Sequence, residues 1–477
     1  MSQLTEQQIN KMAAQIYQMI EKPSIKKTDK SETEHQTMGV FPDIDSAVNA
    51  AKKAFDELMT MSFSKRKDII SEIRRSMDIH AEDLARRAFA ETKLGRFTDK
   101  VEKNRLVIEK TPGPEILEPV AFTGDRGLTL LELAPYGVIG AITPVTNPTS
   151  SIICNTIGMV SAGNAVVFNV HPNAKEVSTY NIILLNEAIV KAGGPPNLVT
   201  TVQKPTIESA QALMKHPGVR LLVVTGGAGV VNEAMSSGKR AICAGPGNPP
   251  VVVDETADIE NAARAIVKGA SMDNNIICVD EKEVFVVESV ADQLIRAMAA
   301  NKAYVLNPQQ MFELSKVIFT KDNGPEKPAV MNKSLIGKNA QEILSKIGLN
   351  VPEDIRLAIV DVKKDHPLVW TEQMMPVLPI VRMPDAESAI EIAKKAEHGF
   401  GHSAIMHSRN IDNLSKMARR MDTSIFVKNG PALSGLGYEG EGYCSFSIAS
   451  PTGEGITNPR SFSRERRCVM VDHFRIV

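Results

Sequence analysis

The sequence lacks any pattern of paired cysteines. Its five, Cys154, Cys243, Cys278, Cys444 and Cys468, are odd in number, widely separated and never arranged as CxxC. That excludes a disulfide framework and the usual zinc spacings, and a reducing, intracellular compartment is expected. A charge surplus is missing too. With 55 basic and 56 acidic residues, a net charge of -1 leaves no electrostatic footprint for nucleic acid or an anionic membrane. No apolar run reaches the roughly 18 residues that cross a bilayer, and the first residues lack the compact apolar core of a secretory signal. A soluble chain that handles a small metabolite is expected. What is abundant is apolar material, 43% of 477 residues, which is enough for two or three domains.

Near the N-terminus, Leu4, Ile9, Met12, Ala13, Ile16, Tyr17 and Ile20 recur at three- and four-residue intervals, with Thr5 placed to cap. This spacing predicts a short amphipathic helix over residues 1–20, ended by Pro23. Residues 21–37 carry almost no apolar side chains and read as a flexible linker. So short a helix must have its apolar stripe covered, either by its own protein or a sister subunit, or by another protein that captures it as a detachable peptide.

From residue 41 onward helical periods dominate, with Asp45 or Ser46 as the expected cap of the first helix. Short apolar runs then alternate with helical stretches: YGVIGAIT, NAVVFNV, LVTTVQ, RLLVVTGG and PPVVVD. A second alternation after residue 278 supplies EVFVVE, RLAIVDV, VLPIVRM, HSAIMHS and SIFVKN. Strand-like runs interleaved with helices predict α/β architecture with mainly parallel, doubly wound sheets, here in two lobes.

Among candidate sites, Gly435, Gly437 and Gly440 fit GxGxxG, but no strand leads in and no helical period follows, so a plain loop is expected. VTGGAGVVNEAM is better placed. There a strand runs into Thr225, Gly226, Gly227 and Gly229 before a helical pattern, a geometry that presents backbone amides to a phosphate and also serves as an ordinary tight turn. His398, His402 and His407 match no metal-ligand spacing, so they read as surface or packing histidines and no metal is expected. Cys154, Cys444 and Cys468 read as small buried hydrophobes. Cys278 differs, because it sits in a short Asn-rich loop between a helical segment, residues 259–270, and a strand, where reactive side chains are commonly held.

Taken together, DNNIIC, ITPVTNPTS, VTGGAGV and TEQMMPVLP, in this order over residues 38–477, resemble segments of the aldehyde dehydrogenase superfamily. The likeness is to its CoA-acylating branch of acetaldehyde and propionaldehyde dehydrogenases. The resemblance implies Cys278 as nucleophile and Asn147 as the oxyanion-binding amide. It places Thr143, Pro144, His171, Pro172, Thr225, Gly226, Gly227 and Glu372 at the cofactor, Glu372 on the nicotinamide ribose. It implies NAD, with coenzyme A as co-substrate. It also implies a cofactor-binding domain at 38–241 interrupted by a hairpin at about 118–133, a catalytic domain at 242–450 and a small C-terminal β oligomerisation segment at 451–477, with RRCVMVD pairing across subunits of a homo-oligomer. The alternative for that strand is to complete a sheet of its own subunit.

Two departures from the family pattern stand out. Hydrolytic members carry a general-base glutamate where AICAGPGNPP puts Cys243, and the family's lysine at the adenosine ribose gives way to Asn169. Without a base to activate water, the acyl group is expected to pass to coenzyme A rather than be released as acid. Asp280 and Glu281 would raise the Cys278 pKa if aimed at it, so a compensating feature is expected beside the thiol. The competing readings are a hydrolytic aldehyde dehydrogenase with another base and a catalytically idle scaffold. Family members housed in bacterial microcompartments carry a similar amphipathic extension, so residues 1–20 are expected to bind a shell protein and direct the chain to the microcompartment lumen.

Overall fold

The computed structural model describes residues 38–477; the helix expected at 1–20 and the linker at 21–37 lie outside the described residues. Strands are numbered along the chain. One sheet contains β1 (Val40–Phe41), β4 (Val138–Ile142), β5 (Ala165–Asn169), β6 (Val199–Val202), β7 (Val219–Thr225) and β8 (Ala241–Ala244). All pairs are parallel, in the order β1-β6-β5-β4-β7-β8. The chain therefore moves outward from β4 through β5 to β6, then returns to the other side of β4 as β7. This reversal opens a crevice outside the carboxyl ends of β4 and β7, the usual ligand position in an open parallel sheet.

A second parallel sheet contains β9 (Pro250–Val253), β10 (Glu283–Val287), β11 (Ala303–Leu306), β14 (Leu357–Asp361), β15 (Val377–Met383), β16 (Ser403–His407) and β17 (Ile425–Lys428). Its order is β11-β14-β15-β10-β9-β16-β17. Every residue of β4, β5, β9, β10 and β16 is buried, which is why these strands read as unbroken apolar runs instead of alternating ones. One core passes from Ile139 and Val166 in the first sheet to Val284 and Ile405 in the second. A further layer packs Phe285, Trp370 and Met406 beneath the helix Ala386–Ala396. Each such large side chain contributes about 2–3 kcal/mol of transfer free energy.

The expected hairpin forms from β2 (Val120–Gly124) and β3 (Gly127–Pro135), and β20 (Ser463–Val471) pairs antiparallel with β3 over nine residue pairs of the same chain. Two short pairs, β12 (Phe319–Lys321) with β13 (Val330–Met331) and β18 (Ile448–Ala449) with β19 (Gly455–Ile456), complete the strands.

Two expectations need correction. The first helix, Ile44–Leu58, is capped by Asp43, whose carboxylate accepts from the Ser46 N–H at 2.8 Å, so the cap lies before Asp45 and Ser46. Cys154, Cys243 and Cys444 are buried, but Cys468 is exposed because β20, from Arg464 onward, is covered by no other layer of the described residues. Among the described residues no helix is long and apolar enough to cross a membrane.

Candidate active site

Residues from both sheets converge on one region. The first sheet offers its carboxyl ends: Thr143 and Pro144 follow β4, Thr225 ends β7, and His171 and Pro172 follow β5 by one residue. The second sheet offers its amino ends: Gly247 precedes β9, Cys278 precedes β10, Glu372 precedes β15 and His402 immediately precedes β16. Gly247 marks how closely these segments approach. A β-carbon there would stand 2.7 Å from the Cys278 carbonyl oxygen and 3.0 Å from the His402 ring.

The helix Ile259–Ser271 leads into the cysteine loop, as expected. Asp273, Asn274 and Asn275 then take three consecutive left-handed conformations, with φ of 44°, 58° and 65°. Asp and Asn tolerate this region because their short side chains bond locally, and such strain persists only where surroundings enforce it. Here they do. Asn274 donates to the Gly337 carbonyl and the Asn339 side chain, both at 2.9 Å, and Asn275 donates to the Ala270 and Glu281 carbonyls, both at 2.9 Å. The fully buried Lys282 closes the loop from behind, donating to the Asn275 carbonyl and side-chain oxygens and the Ile277 carbonyl at 2.9, 2.7 and 3.2 Å.

Cys278 emerges from this loop half-buried. Burial pushes its thiol up to about 12, the Glu372 and Asp280 charges push the same way, and Lys282 opposes them. Asp280 is turned back to accept from the Ile277 N–H at 3.0 Å, and Glu281 accepts from the Ala432 N–H at 2.8 Å. Burial raises both carboxyls, Glu281 to about 8 and Asp280 well above the usual range. Lys282 opposes the rise of the Cys278 thiol without overcoming it, so the compensating feature expected beside the thiol is not found among the described residues.

Glu372 is half-buried, burial raises its pKa, and one oxygen accepts from the Gly247 N–H at 3.4 Å. At the first sheet, Gly226 is enforced by packing, since a β-carbon would meet Val230 at 2.7 Å, whereas Gly227 and Gly229 face open space. Gly227 caps the helix Ala228–Met235 without any side-chain bond, which leaves its first N–H groups free. The Thr143 hydroxyl is buried without a partner. An orphaned hydroxyl, free helix amides and a glycine edge at the switch point suit a dinucleotide pyrophosphate. Asn169 is occupied, donating to the Thr206 carbonyl and accepting from Ser209. His171, whose pKa burial lowers, caps its own turn by accepting from the Asn173 N–H at 3.1 Å.

Asn147 is buried at the start of the helix Pro148–Ser161. Its side-chain oxygen accepts from Lys103 at 2.7 Å, and Lys103 also pairs with Asp273 in the cysteine loop. Sequence reading did not single out Lys100, Lys103 or Lys282, because a helical KVEK or a lysine in an acidic run normally reads as solvated surface. His402, expected as a surface or packing residue, instead lies across Gly247 from the Cys278 carbonyl. Burial holds it neutral, at about 4, with Nδ1 on Ser403 at 2.8 Å and Nε2 buried without a partner. His407 is buried away from any partner and His398 is exposed, and no group of three metal-binding side chains exists among the described residues. Cys243 lies fully buried within β8, its thiol raised to about 11 by burial.

A half-exposed thiol held where the carboxyl ends of one parallel sheet meet the amino ends of another defines an aldehyde dehydrogenase fold and site. The chain belongs to the aldehyde dehydrogenase family, whose sequence model matches residues 20–308 and 354–439. It is 50% identical over 466 residues to acetaldehyde dehydrogenase (acetylating) EutE of Salmonella typhimurium, covering 97% of this chain and 99% of that protein. The propionaldehyde dehydrogenase of the Clostridium phytofermentans fucose utilisation bacterial microcompartment is 46% identical, with a TM-score of 0.89 over 92% of this chain and 100% of that one. The Rhodopseudomonas palustris propionaldehyde dehydrogenase, solved with bound CoA and an acylated cysteine, is 48% identical, with a TM-score of 0.88 over 91% of this chain and 98% of that one.

Proposed function

We propose that this chain is a CoA-acylating aldehyde dehydrogenase that oxidises acetaldehyde or propionaldehyde with NAD and coenzyme A, through a thioester on Cys278. The observation that carries this reading is that the position of the hydrolytic family's general base is held by Cys243, fully buried in β8, its thiol kept in the neutral form by burial and the nearby Glu454 charge. When bound, the oxidised nicotinamide would supply the acceptor for hydride. Thr143, Pro144, Thr225, Gly226 and Gly227 hold the cofactor's pyrophosphate side, His171 and Pro172 its adenosine end, and Glu372 its nicotinamide ribose.

Cys278 loses its thiol proton to solvent and attacks the aldehyde carbon through sulfur, and the carbonyl electron pair moves onto oxygen. The amide N–H of Asn147 and the backbone N–H of Cys278 receive that charge. Loss of hydride from carbon restores the carbonyl as a thioester. His402, neutral and with a free Nε2, takes the proton of the incoming coenzyme A thiol, whose sulfur displaces Cys278. Residues 38–241 serve the cofactor and 242–450 the chemistry. The experiment is a nicotinamide absorbance assay with and without coenzyme A, with product analysis. Sustained turnover is expected only with coenzyme A, giving acyl-CoA, and equal rates of free-acid formation without it would refute the assignment.

The chain also self-associates and enters a microcompartment in this reading. The sheet β2-β3-β20 leaves Val120, Phe122, Val469 and Val471 exposed, 49–62% of each, a surface suited to a second copy. Residues 1–20 bind a shell protein, on the strength of their amphipathic spacing and the polar linker behind them. Light scattering is expected to give a multiple of 51.9 kDa. Deletion of residues 1–20 is expected to leave turnover unchanged while abolishing co-purification with shells; retained co-purification would defeat the targeting role.

A further inference from the structure

We propose that Lys103 is a positioning residue that fixes which end of the Asn147 amide faces the reacting carbonyl; this rests on the reading of Asn147 as an oxyanion donor. An amide has two ends of nearly equal shape and opposite polarity. Facing a developing oxyanion, the N–H end stabilises and the oxygen end repels, so a flip reverses the sign of the contribution. An ammonium group has only donors. Because Lys103 donates to the Asn147 oxygen at 2.7 Å, the flipped amide would set N–H against N–H, and the native orientation is enforced. The same bond polarises the amide and strengthens its N–H as a donor.

The surroundings hold Lys103 in place and leave it few alternatives. Its side chain is 3% exposed, and its other strong partner is the fully buried Asp273. Asp273 is fixed on every side: it accepts from Lys100 at 2.9 Å and from the Arg96 N–H at 2.7 Å, and its own N–H donates to Asp99 at 2.8 Å. Asp99 is in turn paired with Arg356 at 2.6 Å. Burial alone would raise the Asp273 carboxyl, but the two ammonium groups hold it below the usual carboxylate range, and burial draws Lys100 down to about 8. Gly95 is required here, since a β-carbon would fall 1.8 Å from the Asp273 carboxylate. Asp273 belongs to the same left-handed turn that presents Cys278. Lys103, on the helix Phe97–Lys110, thus ties the Asn147 amide and the Cys278 loop to one rigid element. Asp273 keeps its bonds from Lys100 and the Arg96 N–H without Lys103, so the Cys278 backbone donor does not depend on this lysine, whereas the orientation of the Asn147 amide does.

The test is a double-mutant cycle between Lys103→Met and Asn147→Ala, read as the rate of the first hydride-transfer turnover, with aldehyde KM measured alongside. Lys103→Met is expected to slow that turnover about 10- to 100-fold with aldehyde KM little changed, and to add almost nothing in the Asn147→Ala background. Lys103→Gln, which keeps an uncharged donor in place, is the second variant should Met prevent folding; a smaller loss is expected, again absent in the Asn147→Ala background. Losses that multiply in full, while Asn147→Ala alone is strongly impaired, would overturn the positioning role and leave the oxyanion reading standing. An Asn147→Ala enzyme within threefold of the parent would sink both.

Discussion

Cys278→Ala is expected to abolish NADH formation and acyl-CoA formation together, by a factor on the order of 10⁵ or more, because every later step acts on a bond to this sulfur. No other thiol can substitute. Cys154, Cys243 and Cys444 are buried, and Cys468 lies on the separate sheet β2-β3-β20. The fold should survive, since Cys278 is half-buried and its loop is held by bonds from Asn274, Asn275 and Lys282 that do not involve the sulfur. A stability change of less than about 1 kcal/mol is expected. That separation of effects discriminates between an enzyme and an idle scaffold: a scaffold would lose nothing measurable. Intact-mass measurement after mixing the parent enzyme with aldehyde and NAD, without coenzyme A, should show one acyl group per chain on the peptide containing Cys278. A label on another peptide, or residual turnover in the alanine variant, would remove Cys278 from the nucleophile's role.

The strands were legible in the sequence because a parallel sheet covered on both faces demands nearly unbroken apolar runs, and Val138–Ile142, Ala165–Asn169 up to its final Asn, and Glu283–Val287 after its first Glu are such runs. Short β1 and β8, and β11 with its half-exposed pattern, carry too few residues for a periodic signal. At the site, Cys278 stands out by its Asn-rich loop and Thr225 by the glycines that follow it at the end of β7, whereas Glu372 is reached through the family resemblance alone. Lys103 and Asp273 do not, because each is ordinary where it sits in the chain. Their significance arises from a contact across 170 positions, created only when the helix Phe97–Lys110 packs beside the cysteine loop. His402 is similar: nothing in HSAIMHS separates a packing imidazole from one whose Nε2 is left without a partner. Cys468 departs from expectation because free cysteines usually pack as small hydrophobes, whereas β20 is exposed from Arg464 onward.

Asn147→Ala is expected to lower kcat for aldehyde oxidation by about 10²–10³, corresponding to roughly 3 kcal/mol of barrier, while aldehyde KM changes little. The asymmetry follows from where the charge is. The ground-state carbonyl oxygen carries only a partial charge and sits farther from the amide, so its binding owes little to Asn147; the adduct oxygen carries nearly a full charge at hydrogen-bond distance. The surrounding site makes the bond worth more than its counterpart in water, because Asn147 is buried and its amide already has Lys103 on its oxygen. One donor, the Cys278 backbone N–H, survives the substitution, which is why the loss should stop well short of that for Cys278→Ala. Asn147→Asp is the sharper form of the test. It preserves size and the bond from Lys103 but presents a carboxylate oxygen to the adduct oxyanion, so it should be slower than alanine. An aspartate variant faster than the alanine one would mean that volume at this position matters more than the amide N–H, and the oxyanion role would fall.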